Sequence, residues 1–312
     1  MVKDMSRTIK LFRIFIILLV AFMGYLTYIK RDSVKTFVST IISKFKEDQI
    51  IIPYDKTKNK LEYDFKTVHE TDNFKPNNFE ELKDIYYTVL NNGWEEFTFY
   101  CPKDYTECAN DVRKIANGNE FITKLNNFVS PFNSYKKYNT YITNNSEIYL
   151  KIDKLYSETE ISQINIEIDR IFKLIGINKN KDLLDNIKSI HDYLIQNIEY
   201  DEEYTDDKSL DTISNKANGA LFNKKALCSG YTDTFALMLD RLNVPNFKIS
   251  NDEHVWNVIY NNGKWSHIDV TWDDDEVNKD NYYNFYMINT DELLEKDKEQ
   301  HQFNQDFYKE LK

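Results

Sequence analysis

Apolar and polar positions along the chain change period several times, and each change predicts an element. Apolar residues recur at helical spacing over residues 79–90, whereas residues 96–101 alternate and predict a strand. Helices are expected near Asp111 and Phe121, followed by a hairpin turning through Thr143-Asn-Asn-Ser-Glu147. Ser157-Glu-Thr-Glu160 has the form of a capping box, and Ile161, Ile164, Ile168, Ile171, Phe172 and Ile175 supply the apolar stripe of the helix it opens. A further helix over about 182–198 carries Leu183, Ile187, Ile190 and Leu194. After Cys228-Ser229-Gly230, the positions Tyr231, Phe235, Leu239 and Leu242 keep helical spacing until Asn243-Val244-Pro245 stops it.

Two runs rich in β-branched and aromatic residues follow, His254 to Tyr260 and Trp265 to Thr271, separated by Asn261-Asn262-Gly263-Lys264. An Asn-Gly pair in that position predicts a two-residue hairpin. With Asn262-Gly263 as the turn, Tyr260 faces Trp265, Trp256 faces Asp269 and His254 faces Thr271. His254 and Asp269 then become diagonal neighbours, roughly 7–8 Å apart at the backbone and within side-chain reach.

This register gives the chain its candidate chemistry. Cys228 sits at a helix N-terminus, where unpaired N–H groups and the positive end of the dipole favour thiolate over thiol. A thiol, a base to deprotonate it and a carboxylate to orient the base are the parts of nucleophilic acyl transfer. Taken singly, each residue has a plainer reading: a small buried hydrophobe, a structural histidine, a local cap. Agreement of all three in order, helix position and hairpin register favours the catalytic reading.

Ala226-Leu-Cys-Ser-Gly-Tyr231, Glu253-His-Val-Trp-Asn257 and Trp265-Ser-His-Ile-Asp-Val-Thr-Trp-Asp273 resemble the three motifs of the transglutaminase-like superfamily. Ile190 to Asp201 is similar to the helix preceding the nucleophile in its bacterial members, so the resemblance spans about residues 182–290. Leu227 and Thr232 stand where many bacterial relatives carry Val and Ala, and neither change touches the chemistry. The resemblance implies an α+β chain with a papain-like catalytic domain, in which a nucleophile helix packs on an antiparallel sheet. It further implies that Cys228 is the nucleophile, His254 the general base and acid, and Asp269 the residue orienting it. Such enzymes act on amide bonds through a thioester, as transglutaminases, proteases or amidases. The alternative is a non-catalytic binding or scaffolding module, since some members of the superfamily have lost the triad. One oxyanion donor is expected to be the Cys228 backbone N–H; Gln196, Asn197 and Tyr200 are open candidates for the second.

Other polar groups point to structure rather than chemistry. His267 opposes Val258, about 13 Å along the ladder from His254, and His191 lies mid-helix. Asp273-Asp274-Asp275-Glu276 lacks the alternating ligands and glycine of an EF-hand loop and reads as a solvated acidic turn. No cofactor or metal is expected.

The N-terminus adds a location. Residues 14–29 form a 16-residue uncharged, mainly apolar stretch flanked by Lys and Arg on both sides, just long enough to span a bilayer with snorkelling cations. A cleaved signal peptide is the alternative, but no small-x-small cleavage site follows. The expected organisation is a signal anchor at 1–30, a juxtamembrane stalk at 31–60, a mixed α/β accessory region at 61–153 and the catalytic domain at 154–312. Basic residues at both ends leave the positive-inside rule undecided, yet a short tail before a large domain fits a cell membrane protein with its catalytic part outside. Cys101 and Cys108 close a short loop that forms either a disulfide or two thiols.

Nine Lys/Arg against two Asp/Glu give residues 1–46 a net +7, leaving −18 of the whole-chain −11 for residues 47–312. So acidic a body argues against nucleic-acid binding. The expected partners are a protein or cell-wall peptide substrate and, through the basic N-terminus, the membrane.

Overall fold

A computed structural model of the protein describes residues 50–53, 59–143, 146–178, 180–204, 212–274 and 282–312. The expected anchor and most of the stalk lie outside the described residues. Among the described residues no helix is long and apolar enough to cross a membrane.

The accessory region begins with α1 (Phe79–Asn91), whose N-cap Asn78 accepts the Glu81 N–H at 3.0 Å. Leu82, Ile85, Tyr86 and Val89 are buried on one side of it, as their i, i+3, i+4, i+7 spacing requires. There follow β1 (Glu96–Tyr100), α2 (Cys108–Asn117), α3 (Asn119–Asn126), β2 (Tyr135–Thr143) and β3 (Glu147–Lys154). The strands form an antiparallel sheet in the order β1-β3-β2, with Thr143 paired to Glu147 across the expected hairpin. Cys101, just beyond β1, is disulfide-bonded to Cys108 at the start of α2.

Next come α4 (Glu158–Leu174) and α5 (Leu183–Asn197). The capping box forms: Ser157 Oγ accepts the Glu160 N–H, and Glu160 Oε2 accepts the Ser157 N–H. Short strands β4 (Glu199–Tyr200) and β5 (Lys225–Ala226) pair in parallel and lead into α6 (Cys228–Arg241). Asn243, with φ of 55°, closes the helix in the left-handed conformation typical of helix ends. The chain then builds β6 (Asn246–Ser250), β7 (Val255–Asn261), β8 (Lys264–Ile268), α7 (Val270–Asp273), β9 (Tyr286–Ile288), α8 (Thr290–Lys296) and α9 (Lys298–His301). Strands β6-β7-β8-β9 make one antiparallel sheet in that order.

Both faces of this sheet are covered. Ile259 and Ile268 join the core formed by α4, α5 and α6, while Phe247, Ile249, Trp256 and Val258 join the core of the accessory region. Burying a side chain such as Phe247, Ile249 or Val258 is worth about 1.5–3 kcal/mol. Packing is therefore continuous across residue 153, and residues 50–312 form one compact unit. The face toward α6 also carries an ion pair, Lys248 Nζ to Asp233 Oδ1 at 2.9 Å, both side chains buried, with Tyr156 OH donating to the other Asp233 oxygen at 2.8 Å. These bonds seat α6 on the sheet.

Candidate active site

Cys228 is the first residue of α6 and the one free cysteine among the described residues, partly exposed. Leu227 before it is extended and gives no side-chain cap, and the first turn holds no acidic residue. The N-terminal end of α6 is held tightly against the preceding loop. Leu227 N–H donates to Ser214 O at 2.8 Å, and Ser229 Oγ to Asn215 Oδ1 at 2.6 Å. Gly230 is required there because a Cβ would lie 2.4 Å from the Ser214 carbonyl oxygen.

The hairpin begins directly after His254. Asn262 and Gly263 have φ of 50° and 82°, the paired positive values of a type I′ turn, and Tyr260 pairs with Trp265 and Val258 with His267 as expected. The backbone ladder ends at Asn257 and Ile268. Asp269 is thus not on the strand but one residue beyond it, where it caps α7: Oδ1 accepts the N–H groups of Thr271 and Trp272 at 3.0 and 3.1 Å. Its Oδ2 meets His254 Nε2 at 2.5 Å, so the side chains join the strands where the ladder stops.

His254 is buried, and Cys228 is near enough to raise its pKa. With Nε2 committed to Asp269, Nδ1 is the ring nitrogen left for the thiol. Burial by itself would pull the His254 pKa down; the Asp269 carboxylate, and then Cys228, overcome this and push it up to about 10. For Asp269, burial works in the opposite direction and the His254 ring prevails, holding the carboxyl well below the usual carboxylate range. Trp256 lies against the His254 ring at 5.7 Å and Trp272 meets it edge-on at 6.3 Å.

One residue of the site had no sequence signal. His301, fully buried at the end of α9, brings Nε2 to 2.9 Å from the same Asp269 Oδ2, and its Nδ1 lies 3.0 Å from Asp297 Oδ2. Neither periodicity nor motif marks it, and α9 is only four residues long. His254 Nε2, Asp269 Oδ2 and His301 Nε2 lie within 4.8 Å of one another, a spacing that could hold a metal ion. The direct ring-to-carboxylate hydrogen bonds account for the cluster without one.

The remaining candidates separate by their bonds. His267 accepts the Trp256 Nε1–H at 3.0 Å and meets Thr290 Oγ1 at 3.0 Å, while burial pushes its pKa down to about 3, leaving a neutral packing residue. His191 bonds Asp273 Oδ2 at 3.0 Å; burial lowers its pKa, but Asp192 and Asp273 more than offset this and raise it. Asp273 therefore departs from the expected solvated turn. It is fully buried, and its other oxygen accepts the Phe285 N–H at 2.8 Å, because the turn folds onto α5 and the chain before β9. Asp274 accepts a bond from Tyr231 OH, and residues 275 and 276 lie outside the described residues. Among the candidate oxyanion donors, Asn197 Nδ2 is committed to Tyr193 O at 2.8 Å and Gln196 is exposed. Tyr200 lies on β4 opposite Ala226, two residues before Cys228.

Residues 174–270 match the family model of the transglutaminase-like superfamily, and the chain carries a transglutaminase-like domain over that stretch. Cys228, His254 and Asp269 fall inside the match and His301 outside it. No match was found among curated proteins. Similar solved structures include two at 17% and 14% identity. One, described as a TGase, gives a TM-score of 0.32 and covers 44% of each chain. The other, a proposed cysteine protease from Cytophaga hutchinsonii, gives a TM-score of 0.27 and covers 43% of this chain and 61% of that one. The alignment thus spans less than two thirds of either relative.

Proposed function

We propose that the protein is a thiol acyl-transfer enzyme acting on amide bonds, with Cys228 as nucleophile, His254 as general base and acid, and Asp269 as the residue that orients His254. The observation that carries this reading is the placement of one imidazole between a helix-terminal thiol and a buried carboxylate. Held near 10, the His254 pKa keeps the ring protonated at neutral pH, so that a proton is at hand beside the sulfur for the departing nitrogen. The Cys228 thiolate attacks the amide carbonyl carbon, and the oxyanion that develops accepts a bond from the Cys228 backbone N–H. As the C–N bond breaks, His254 Nδ1–H gives its proton to the departing nitrogen, leaving a thioester and a neutral imidazole. An amine or water then attacks the thioester carbonyl and passes its proton to Nδ1, and the thiolate leaves.

The reading extends to place. The Cys101–Cys108 disulfide supports an oxidising compartment. Together with the apolar stretch at 14–29 and the acidic body, it favours a membrane-anchored enzyme facing outward, with surface proteins or cell-wall peptides as substrates. The test is mass spectrometry of cell-wall peptides and of the enzyme after incubation with a labelled primary amine. Incorporated amine identifies a transferase; hydrolysed amides alone identify a protease or amidase; both require a thioester adduct on Cys228. Intact peptides, with no adduct and no preferential alkylation of Cys228 at pH 6, would replace the enzyme with a binding module.

A further inference from the structure

We propose that His301 is a positioning residue of this site: it clamps the Asp269 carboxylate from the side opposite His254 and supplies a counter-charge that sets how strongly Asp269 holds the His254 proton. The inference rests on the catalytic reading above.

Hydrogen-bond accounting carries it. A carboxylate has about four acceptor positions, and Asp269 fills them with the Thr271 and Trp272 amides on Oδ1 and the His254 and His301 rings on Oδ2. Fully engaged, the carboxylate cannot turn without breaking a bond. His301 in turn faces two carboxylates, which only accept, so both bonds form only when both ring nitrogens carry protons and the ring is a cation. The groups confronting His301 are Asp269, Asp297, the His254 ring edge-on at 5.3 Å, and neutral His267. The His301 ring therefore stands between the Asp269 and Asp297 carboxylates, and Asp269 Oδ2 between the His254 and His301 rings.

The surroundings are built to hold this arrangement. The His301 ring stacks on Phe285 at 5.0 Å and meets Trp256 and Trp272 at 5.0 and 5.2 Å. Asp297 caps α9 by accepting the Glu299 N–H and also bonds the ring one turn later. Asn251 ties the two histidine segments together, for its Oδ1 accepts the His254 N–H at 2.8 Å while its Nδ2 donates to Gln300 O at 2.6 Å and Gln302 O at 3.2 Å. The loop before β7 is thereby fastened to the helix bearing His301.

The experiment uses the full-length protein and the pH profile of Cys228 alkylation by iodoacetamide, which needs no substrate. The wild type sets the baseline: rapid labelling at pH 6 that His254→Ala abolishes. Absence of that baseline overturns the catalytic reading and this one with it. Given the baseline, His301→Ala should slow labelling at pH 6 by roughly tenfold, the lower end of what one hydrogen bond to a charged group is worth, and move the alkaline limb to higher pH. His301→Gln, which keeps a donor for Asp269 but no charge, should recover most of the rate while keeping the shifted limb. His301→Phe fills the slot with neither donor nor charge and should behave as Ala does; if the Ala variant does not fold, Gln and Phe decide. Wild-type profiles in Gln and Phe overturn the proposal, and so does a rate loss with an unmoved alkaline limb in all three.

Discussion

The Asp269→Asn variant tests the site most directly, because the substitution is isosteric and changes only charge and donor pattern. The Asn oxygen can still accept the Thr271 and Trp272 amides, so the α7 cap survives. Its NH2 group, however, replaces the oxygen that took bonds from His254 at 2.5 Å and His301 at 2.9 Å. Two ring donors then face a donor, and for either bond to re-form a ring nitrogen must give up its proton. If His254 does so at Nε2, its remaining proton sits on Nδ1, the tautomer that cannot take the thiol proton. Removing one partner of a buried charge pair costs about 3–5 kcal/mol, and the same change in a serine protease triad lowers turnover about 10⁴-fold. Guanidinium unfolding should therefore show a loss of about 3–5 kcal/mol, and Cys228 alkylation at pH 6 should fall by about two orders of magnitude or more. Stability within about 1 kcal/mol of wild type, the scale of a single ordinary hydrogen bond, with an unchanged alkylation rate would refute the reasoning.

Further expectations follow from the same bonds. Because the folded His254 pKa lies near 10 and the unfolded value near 6.5, the stability from this pair is full below about pH 6.5 and lost as pH rises through about 10. Asp269, whose pKa is depressed, contributes above about pH 4 and loses its contribution as pH falls further. The difference in guanidinium midpoint between wild type and Asp269→Asn should shrink from pH 6.5 to 10; a growing difference would contradict the assignment. His267→Ala leaves the Trp256 Nε1–H without its acceptor and opens a cavity, so it should cost about 2–4 kcal/mol while the folded protein alkylates at the wild-type rate. Replacing both Cys101 and Cys108 with Ala removes a cross-link between positions seven residues apart and should cost roughly 2–3 kcal/mol in chemical unfolding, again without slowing Cys228.

Much of this protein was legible along the chain wherever a signal acts between near neighbours. Ser157 finds Glu160 three residues on, and Asn262-Gly263 adopts the φ values its turn demands. The turn carries the register with it, so His254 and Asp269 could be paired from sequence even though the backbone ladder stops short of both. Cys101 and Cys108 showed a bridgeable spacing, but only the placement of β1 against α2, with the Cα atoms 5.7 Å apart, made it a bond. The acidic turn was misjudged because local composition cannot reveal that His191, 82 residues earlier, would draw Asp273 into the interior. His301 lies 32 residues from Asp269 on a helix too short to show a period, and its role exists only once Asn251 and the aromatic wall bring α9 to the hairpin. Covering of the sheet's outer face by residues before 154 was equally hidden. Sequence alone determined the elements and pointed to the Cys228 thiol, the His254 ring and the Asp269 carboxylate as candidates, because hydrogen bonds and backbone preferences of adjacent residues specify the turn, cap and helix start that carry them. Tertiary structure decided what surrounds that carboxylate, because burial and long-range ion pairing depend on which distant surfaces meet.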